Sequence, residues 1–148
     1  MAEIRHARPS DYGRVIGVVD AWWGGRQMSP MLPRLFFVHF EGTSFVAEVD
    51  GELAGFLCGF LSQTHADEAY VHFVGVDPGR RGEGVGAALY ERFFSEVRTL
   101  GRTVVHAVTS TINVGSLDFH RRVGFEVERV MEDYDGQGGD RVLLVKRL

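Results

Sequence analysis

A strand pattern that runs directly into a glycine-rich segment and then into an amphipathic helix constrains this chain most. The strand is predicted over residues 70–76 and the glycine-rich segment covers 80–86. One apolar face of the helix is formed by Val85, Leu89, Phe93, Val97 and Leu100. Such a junction presents unpaired backbone N–H groups and the positive end of the helix dipole, and glycines let an anion approach closely. The segment therefore predicts a site for phosphate or pyrophosphate.

The residues of the glycine-rich segment fit two other nucleotide-binding loops poorly. A Walker A loop needs Lys and then Ser or Thr after its last glycine, and here Ala87 follows Gly86. A dinucleotide loop of the G-x-G-x-x-A type is matched by Gly82, Gly84 and Ala87. The acidic residue that it needs about 20 positions later is missing from residues 103–110. A tight turn that binds nothing is the remaining alternative.

The rest of the chain predicts a mixed sheet with helices on its faces. Strands are predicted over residues 4–8, 43–49, 53–61, 103–108, 125–131 and 142–146. Helices are predicted over 12–23 and 113–123, with a short one within 28–40. Ser10 and Asp11 are predicted to cap the first helix, and Asp50-Gly51 predicts a hairpin turn. This order indicates an α/β fold, more fully an α+β mixed sheet.

Size, charge and cysteine content limit what the chain can do. The 148 residues fit one domain, residues 1–148, and 45% hydrophobic residues supply a core. A net charge of −4 without a basic cluster argues against nucleic acid as a partner. A single cysteine, no apolar signal core and no bilayer-length apolar run predict a cytoplasmic protein without a membrane partner. The histidine spacing predicts no metal site.

Two spaced motifs carry a resemblance to a known family. Residues 81–86, Arg-Gly-Glu-Gly-Val-Gly, resemble the Q/R-x-x-G-x-G/A motif of the GNAT superfamily, the acyl-CoA N-acyltransferases. Residues 113–120 with Gly124-Phe125 are similar to the second motif of that family, Asn-x-x-Ala/Ser-x-x-Phe-Tyr-x-x-x-Gly-Phe. The resemblance implies about seven strands with about four helices, splayed central strands, and acetyl-CoA as co-substrate without a metal.

The resemblance also implies which residues hold acetyl-CoA. The pantetheine arm would bond to the backbone of the strand before the loop, and the pyrophosphate to the amides of the loop. Asn113 would reach the thioester region from the next helix, and a plain helix cap is an equally good and compatible interpretation of it. The implied residues are Val74, Gly75, Val76, Arg81, Gly82, Glu83, Gly84, Val85, Gly86, Ala87, Asn113 and Ser116.

His72 and His120 are the candidate catalytic residues. The family has a tyrosine at the place of His120, where it donates a proton to the departing thiolate. An imidazolium could do the same, and an imidazole could instead only hydrogen-bond the sulfur or take no part. The amine needs a base, because an amine with a pKa of about 10 is mostly protonated at neutral pH. His72 lies two residues before Val74, and strand alternation predicts one face for both. A hydrogen-bonded sheet histidine, with Glu68 as base through water, is the alternative.

The acceptor site is predicted from the same resemblance. In this family the first two helices and their connecting loop form it, which implies Trp22 and Trp23 as lining residues, with burial in the core as their alternative. Tyr70 lies two residues before His72 on the same predicted strand face and is the third predicted lining residue. The implied function is acetyl transfer from acetyl-CoA to a primary amine of a small molecule, by direct attack in a ternary complex. A non-catalytic acyl-CoA-binding module and an acetyltransferase for protein N-termini or lysines are the alternatives. The oligomeric state is open, with a homodimer among the options.

Overall fold

The computed structural model describes residues 2–148 and contains one seven-stranded sheet. Its order is β1-β2-β3-β4-β5-β7-β6. The central pair β4–β5 is parallel and the other neighbouring pairs are antiparallel. The strands are β1 (Glu3–His6), β2 (Phe45–Val49), β3 (Glu52–Leu61), β4 (Glu68–Val76), β5 (Val104–Ser110), β6 (Glu126–Met131) and β7 (Arg141–Arg147). This confirms the mixed sheet predicted from the sequence.

Five helices cover the two faces of the sheet. They are α1 (Tyr12–Ile16), α2 (Val19–Trp22), α3 (Leu35–Val38), α4 (Val85–Thr99) and α5 (Val114–Arg122). The single helix predicted over 12–23 is wrong, because the regular hydrogen bonding is interrupted at Gly17 and Val18, where the N–H of Val18 donates to the carbonyl of Val15 instead of that of Arg14. Glycine and a run of β-branched residues weaken a helix at this point. No helix within residues 2–148 has the length and apolar character needed to cross a membrane.

Each face of the sheet carries its own apolar layer. One layer lies between the sheet and α4, and the other packs α1–α3 against β2–β4. The apolar face predicted for α4 is buried as expected for its first four members, including Leu89 and Phe93. Leu100 is 47% exposed, so its assignment to that face is wrong. The helix ends at Thr99, and Leu100 therefore caps the helix instead of packing beneath it.

Local predictions at the turns have mixed outcomes. Asp50 and Gly51 have φ of 51° and 80°, the positive values that a tight two-residue hairpin turn requires. Ser10 and Asp11 were predicted to cap α1, but neither side chain does so. Ser10 lies inside a 3-10 turn that precedes α1. The Asp11 carboxylate instead accepts hydrogen bonds from the guanidinium of Arg5 and the backbone N–H of Arg8, because these donors outcompete the helix end.

β4 contains a one-residue bulge at its centre. In the ladder with β3, Cys58 lies opposite Phe73 and Gly59 lies opposite Val71, which leaves His72 as the extra residue. A bulge bends its strand and shifts the alternation of side chains by one position. Val71 therefore faces the α4 layer before the bulge, whereas Phe73 faces the α1–α3 layer after it.

The bulge coincides with the place where the two parallel strands separate. The β4–β5 ladder begins at Glu68 opposite Val104 and ends at Val71 opposite Ala107. Both strands continue beyond that point, yet no pairing joins residues 72–76 to residues 108–110, all of which the structure describes. The splayed central strands implied by the family resemblance are therefore present, and the bulge gives the physical reason for the separation.

Candidate active site

A cleft of about 240 Å³ occupies the space between the separated strands. Its walls include residues 70–74 of β4 and residues 107–110 of β5. The N–H of Asp77 donates to the carbonyl of Ala54 on β3 at 2.9 Å. Successive peptide groups of a strand point to opposite sides, so those of Val76 and Val74 point into the gap. An extended amide-containing chain can pair with such an edge as another strand would.

The glycine-rich turn at the end of β4 is built to meet an anion. Gly82 and Gly84 have φ of 86° and 82°, a left-handed conformation that glycine adopts without strain. Gly84 immediately precedes α4, and the N–H groups of Val85, Gly86 and Ala87 in its first turn have no acceptor within residues 2–148. These amides and the helix dipole together favour a phosphate group at this end of the cleft.

The charged residues of this turn are held loosely. Glu83 forms an ion pair with Arg80, with 3.7 Å between Nη1 and Oε1. Arg81 is exposed and donates from Nη2 to the carbonyl of Trp22 at 3.4 Å. The Arg81 side chain can leave such a weak contact at little cost, so it stays available to an incoming phosphate.

Two glycines of the predicted site are required by packing. A Cβ on Gly86 would lie 2.8 Å from Cζ of Phe119, which places α4 directly against α5. A Cβ on Gly75 would lie 2.7 Å from the ring of Phe56 and 2.8 Å from the ring of Trp23. Both glycines therefore allow close approach of neighbouring side chains, whatever further part they take in binding.

Asn113 and Ser116 lie at the start of α5 and both line the cleft. Asn113 Oδ1 accepts a hydrogen bond from the backbone N–H of Ser116 at 3.0 Å. Asn113 therefore caps α5, which is one of the two interpretations predicted for it. Ser116 Oγ accepts a hydrogen bond from the hydroxyl of Thr109 at 3.0 Å, which ties the helix to β5. The side-chain N–H₂ of Asn113 remains for a ligand in the gap.

His120 is buried within a hydrogen-bonded chain and has both ring nitrogens engaged. Nδ1 lies 2.7 Å from the carbonyl oxygen of Ser116, which only accepts, so Nδ1 carries the proton. Nε2 then accepts the hydroxyl proton of Tyr90 at 2.6 Å. Burial lowers the pKa of His120 although the Ser116 carbonyl opposes this. The ring is therefore neutral at physiological pH, which favours a hydrogen-bonding role over that of an imidazolium acid.

Tyr90 is a cleft residue that the sequence analysis did not select. It lies on α4 and is fully buried, and burial raises the pKa of its phenol well above the usual value. The family resemblance directs attention to the tyrosine expected at position 120, whereas here a phenol reaches the same region from a different helix. The sequence does contain one indication of Tyr90. It is an aromatic residue with a polar hydroxyl, and it lies between Leu89 and Phe93 of the buried face of α4.

His72 lies against the segment that follows α2. Its Nε2 is 2.6 Å from the carbonyl oxygen of Met31, and its ring stacks on Phe36 with centroids 4.7 Å apart and planes 6° apart. Because the carbonyl only accepts, Nε2 carries the proton and Nδ1 of the neutral ring keeps its lone pair. The ring also lines the cleft. The predicted common face for His72 and Val74 is wrong, since the bulge places Val74 on the α4 side.

The side of the cleft that faces the loop after α2 and the β6–β7 hairpin combines predicted and unforeseen residues. Two of the residues predicted for the acceptor, Trp23 and Tyr70, lie in its lining. Trp22 does not belong to its lining and instead stacks on Phe56, with centroids 6.0 Å apart. The lining residues that were not predicted are Arg26, Met28, Met31, Tyr134, Asp135 and Arg141. They come from the loop after α2 and from the β6–β7 hairpin, whose only sequence indication is a glycine-rich turn over residues 136–139.

A comparison with protein families identifies the chain. The model of the Acetyltransferase (GNAT) family matches residues 6–125. The chain therefore belongs to the GNAT family of acetyltransferases, which confirms the family predicted from its two motifs. The acyltransferase class predicted for it follows from the family and from relatives named as N-acetyltransferases.

Curated relatives differ in what they are named for. An uncharacterized N-acetyltransferase of Methanocaldococcus jannaschii is 34% identical over 98 residues, which cover 64% of this chain and 43% of that protein. An L-2,4-diaminobutyric acid acetyltransferase of Nocardia farcinica is 38% identical over 53% of this chain and 40% of its own length. The chain thus spans about two fifths of these two relatives. An N-alpha-acetyltransferase of Sulfurisphaera tokodaii is 26% identical over 98% of this chain and 92% of its own.

Solved structures share the fold. An acetyltransferase of the GNAT family from Desulfovibrio desulfuricans has a TM-score of 0.86 at 22% identity, over 99% of both chains. An acetyltransferase from Salmonella typhimurium, solved with its cofactor acetyl-CoA, has a TM-score of 0.76 at 20% identity over 100% of this chain and 94% of that one. Likeness at these identities shows the fold alone, and it confirms the predicted fold class.

Proposed function

We propose that this protein transfers an acetyl group from acetyl-CoA to a primary amine of a small molecule, by direct attack in a ternary complex. The observation that carries the proposal is the gap between β4 and β5, which opens beside a turn with unpaired amides. In this proposal the amides of the turn bind the phosphates of acetyl-CoA, and the backbones of Val74 and Val76 pair with its amide-containing pantetheine arm. A structure of the same fold was solved with acetyl-CoA, which supports this choice of donor.

The chemistry requires one proton to leave the amine before it attacks. Acetyl-CoA supplies a thioester, a good acyl donor because its thiolate leaves readily. The amine nitrogen forms the new bond to the carbonyl carbon, and the carbon–sulfur bond breaks. The nitrogen then gives up its second proton, and the CoA thiolate takes up a proton and leaves as the free thiol. Nδ1 of His72 is the base in this proposal, since the Met31 carbonyl fixes the tautomer that leaves Nδ1 unprotonated. His120 and Tyr90 shape the polar side of the cleft near the sulfur.

A small acceptor fits the cleft better than a folded protein surface does. The volume of about 240 Å³ and the aromatic lining from Trp23, Tyr70 and Tyr134 suit an amine of small-molecule size. A relative named for L-2,4-diaminobutyric acid supports a small-molecule acceptor, whereas the relative named N-alpha-acetyltransferase favours the second candidate, a protein N-terminal amine.

The proposed donor can be tested by thermal unfolding. We expect acetyl-CoA at about 100 times its Kd to stabilise the native state by about 2.7 kcal/mol and to raise Tm measurably. NADH and ATP at the same concentration should shift Tm little, because the loop lacks their remaining determinants. An equal shift with NADH would contradict acetyl-CoA as the ligand of this loop.

Turnover decides between the acceptor classes. Release of free CoA thiol should be measured with a panel of small primary amines and with peptides that have a free N-terminus. Small amines should support the higher kcat/KM. Turnover with peptides alone would replace the small-molecule acceptor by a protein one. Binding of acetyl-CoA without turnover of any acceptor would instead support a non-catalytic binding module.

A further inference from the structure

A second cavity adjoins the cleft on the face of the sheet where His72 and Tyr70 lie. Its volume is about 340 Å³. Four residues line both spaces, namely Tyr70, Ala107, Val108 and Tyr134. The cleft and this cavity, which we call the distal cavity, are therefore parts of one groove that runs along β4 and β5 toward the N-terminal ends of both strands.

A carboxylate held by an imidazole lies in the distal cavity. Glu68 Oε1 is 3.0 Å from Nε2 of His106, and the two side chains are 27% and 24% exposed. His106 lies opposite Tyr70 in the β4–β5 ladder, one diagonal step from Glu68. The imidazole orients the carboxylate through one oxygen, and Oε2 of Glu68 has no partner within residues 2–148. A cationic ligand can therefore approach a carboxylate that is already fixed in place.

Aromatic rings flank this carboxylate. Tyr70 stacks on Phe60 with centroids 5.3 Å apart, and burial raises the pKa of Tyr70 to about 12, so its phenol stays neutral. Tyr134 is 43% exposed and adds a second accessible ring. Glu128 and Arg129 also line the cavity, and their opposite charges offset each other. A cavity lined by a carboxylate and by neutral aromatic rings is an environment that an alkylammonium group binds.

The position of Glu68 separates it from the chemistry. Glu68 precedes His72 by four positions along β4, which corresponds to about 13 Å of strand. A general base must come within hydrogen-bond reach of the proton that it removes, directly or through one water. At this separation Glu68 and His72 suit opposite ends of one acceptor, and Glu68 as base through water stays the alternative that replacement of His72 tests.

We propose that the acceptor is an elongated diamine or polyamine whose second ammonium group binds Glu68. One amine would reach the thioester beside His72, while the other end would lie in the distal cavity between Tyr70 and Tyr134. This inference rests on the proposed acetyltransferase function and specifies its acceptor. Because about 13 Å of strand separates Glu68 from His72, the two nitrogens should be roughly 10 to 13 Å apart.

The test compares two acceptors of equal length that differ in their far end. A linear eight-carbon diamine, with its nitrogens roughly 11 Å apart, carries the second ammonium, and the eight-carbon amino alcohol lacks it. The wild-type protein should prefer the diamine about tenfold in kcat/KM, mainly through KM, as expected for one charged hydrogen bond. Glu68→Gln should abolish this preference. Glu126→Gln, at an exposed position on β6 outside both cavities, should retain it.

Binding without turnover separates this inference from the proposed function. Calorimetric titration of the diamine into the protein with CoA bound should show tighter binding than the amino alcohol, and Glu68→Gln should remove the difference. Such binding without acetylation would leave the distal cavity as a diamine site and contradict the acetyltransferase proposal. Equal kcat/KM for both acceptors, or a preference that persists in a folded Glu68→Gln protein, would overturn the inference while acetyl transfer itself stood.

Discussion

At the scale of single residues, the extra position in β4 decides where the proposed base lies. His72 is the residue without a partner on β3, so its ring leans toward the α1–α3 layer and stacks on Phe36. The carbonyl of Met31 then selects the tautomer. The loop after α2 therefore also determines which ring nitrogen of the proposed base carries the proton.

Replacement of His72 should affect the chemical step more than donor binding. We expect His72→Gln to lower kcat by about 10²- to 10⁴-fold, the usual contribution of a general base. The Kd for acetyl-CoA should stay nearly unchanged, because the ring lies on the acceptor side of β4. Steady-state kinetics and calorimetry measure both quantities, with an acceptor whose own pKa is known.

The pH profile supplies the control for this variant. If His72 is the base, the limb of kcat/KM that rises with pH should vanish or move in His72→Gln. An unchanged limb, together with a loss of rate smaller than about threefold, would place the base elsewhere in the cleft.

At the scale of elements, the junction between β4 and α4 combines the proposed phosphate site with a packing contact. Gly84 precedes α4 with φ of 82°, and Gly101 follows it with φ of 84°, so both ends of the helix use the left-handed conformation. A Cβ at either position would meet no atom within 4 Å. The two glycines therefore carry the same backbone strain on substitution and differ only in their distance from the proposed phosphate site.

This symmetry gives a matched pair of variants. Gly84→Val and Gly101→Val should each destabilise the protein by about 1–2 kcal/mol, because a side chain is strained in the left-handed region. Only Gly84→Val should also weaken acetyl-CoA binding, measured by calorimetry. Gly86→Val should instead destabilise the fold by about 1–3 kcal/mol through its clash with Phe119. Equal acetyl-CoA affinity in both folded variants, Gly84→Val and Gly101→Val, would mean that the loop is only a turn.

The sequence predicts regular elements well and their irregularities poorly. The Asp50-Gly51 turn between two apolar runs is a local signal, so the hairpin was predictable. The bulge at His72 was not, because one extra residue in a strand leaves no distinctive pattern over residues 70–76. The family resemblance indicated the splayed strands, but the contributions of Tyr90 and Tyr134 depend on packing between distant segments.

At the scale of the whole molecule, an ion-pair network joins β1, β2 and the start of α1. Arg5 contacts Asp11 at 2.8 Å and Glu48 at 3.0 Å, and Arg14 contacts Glu48 at 2.9 Å. Burial alone would raise the pKa of Asp11, but hydrogen bonds from Arg5 and Arg8 outweigh it and the pKa is lowered. Hydrogen bonds from Arg14 and Arg5 lower the pKa of Glu48 as well.

Acid should therefore destabilise the fold in a defined window. A carboxylate whose pKa is lower in the folded state than in the unfolded one stabilises the fold above the unfolded value of about 4. That stability is lost as pH falls from this value through the lower folded pKa. Asp11→Asn should reduce the pH dependence below pH of about 4, measured by urea unfolding. Asp118→Asn, at an exposed position on α5, is the control and should leave it unchanged.

The gap between β4 and β5 also bears on how the molecule avoids aggregation. Residues 72–76 and 108–110 expose unpaired peptide groups in the middle of a sheet, and such an edge can recruit the strand of another chain. Here the open stretch is only a few residues long, and helices on one face and the loop after α2 on the other flank it. A thin, flexible ligand can bind in this short gap, whereas a strand of another chain needs about six residues to pair stably. The length of the open edge thus separates a binding slot from an aggregation hazard.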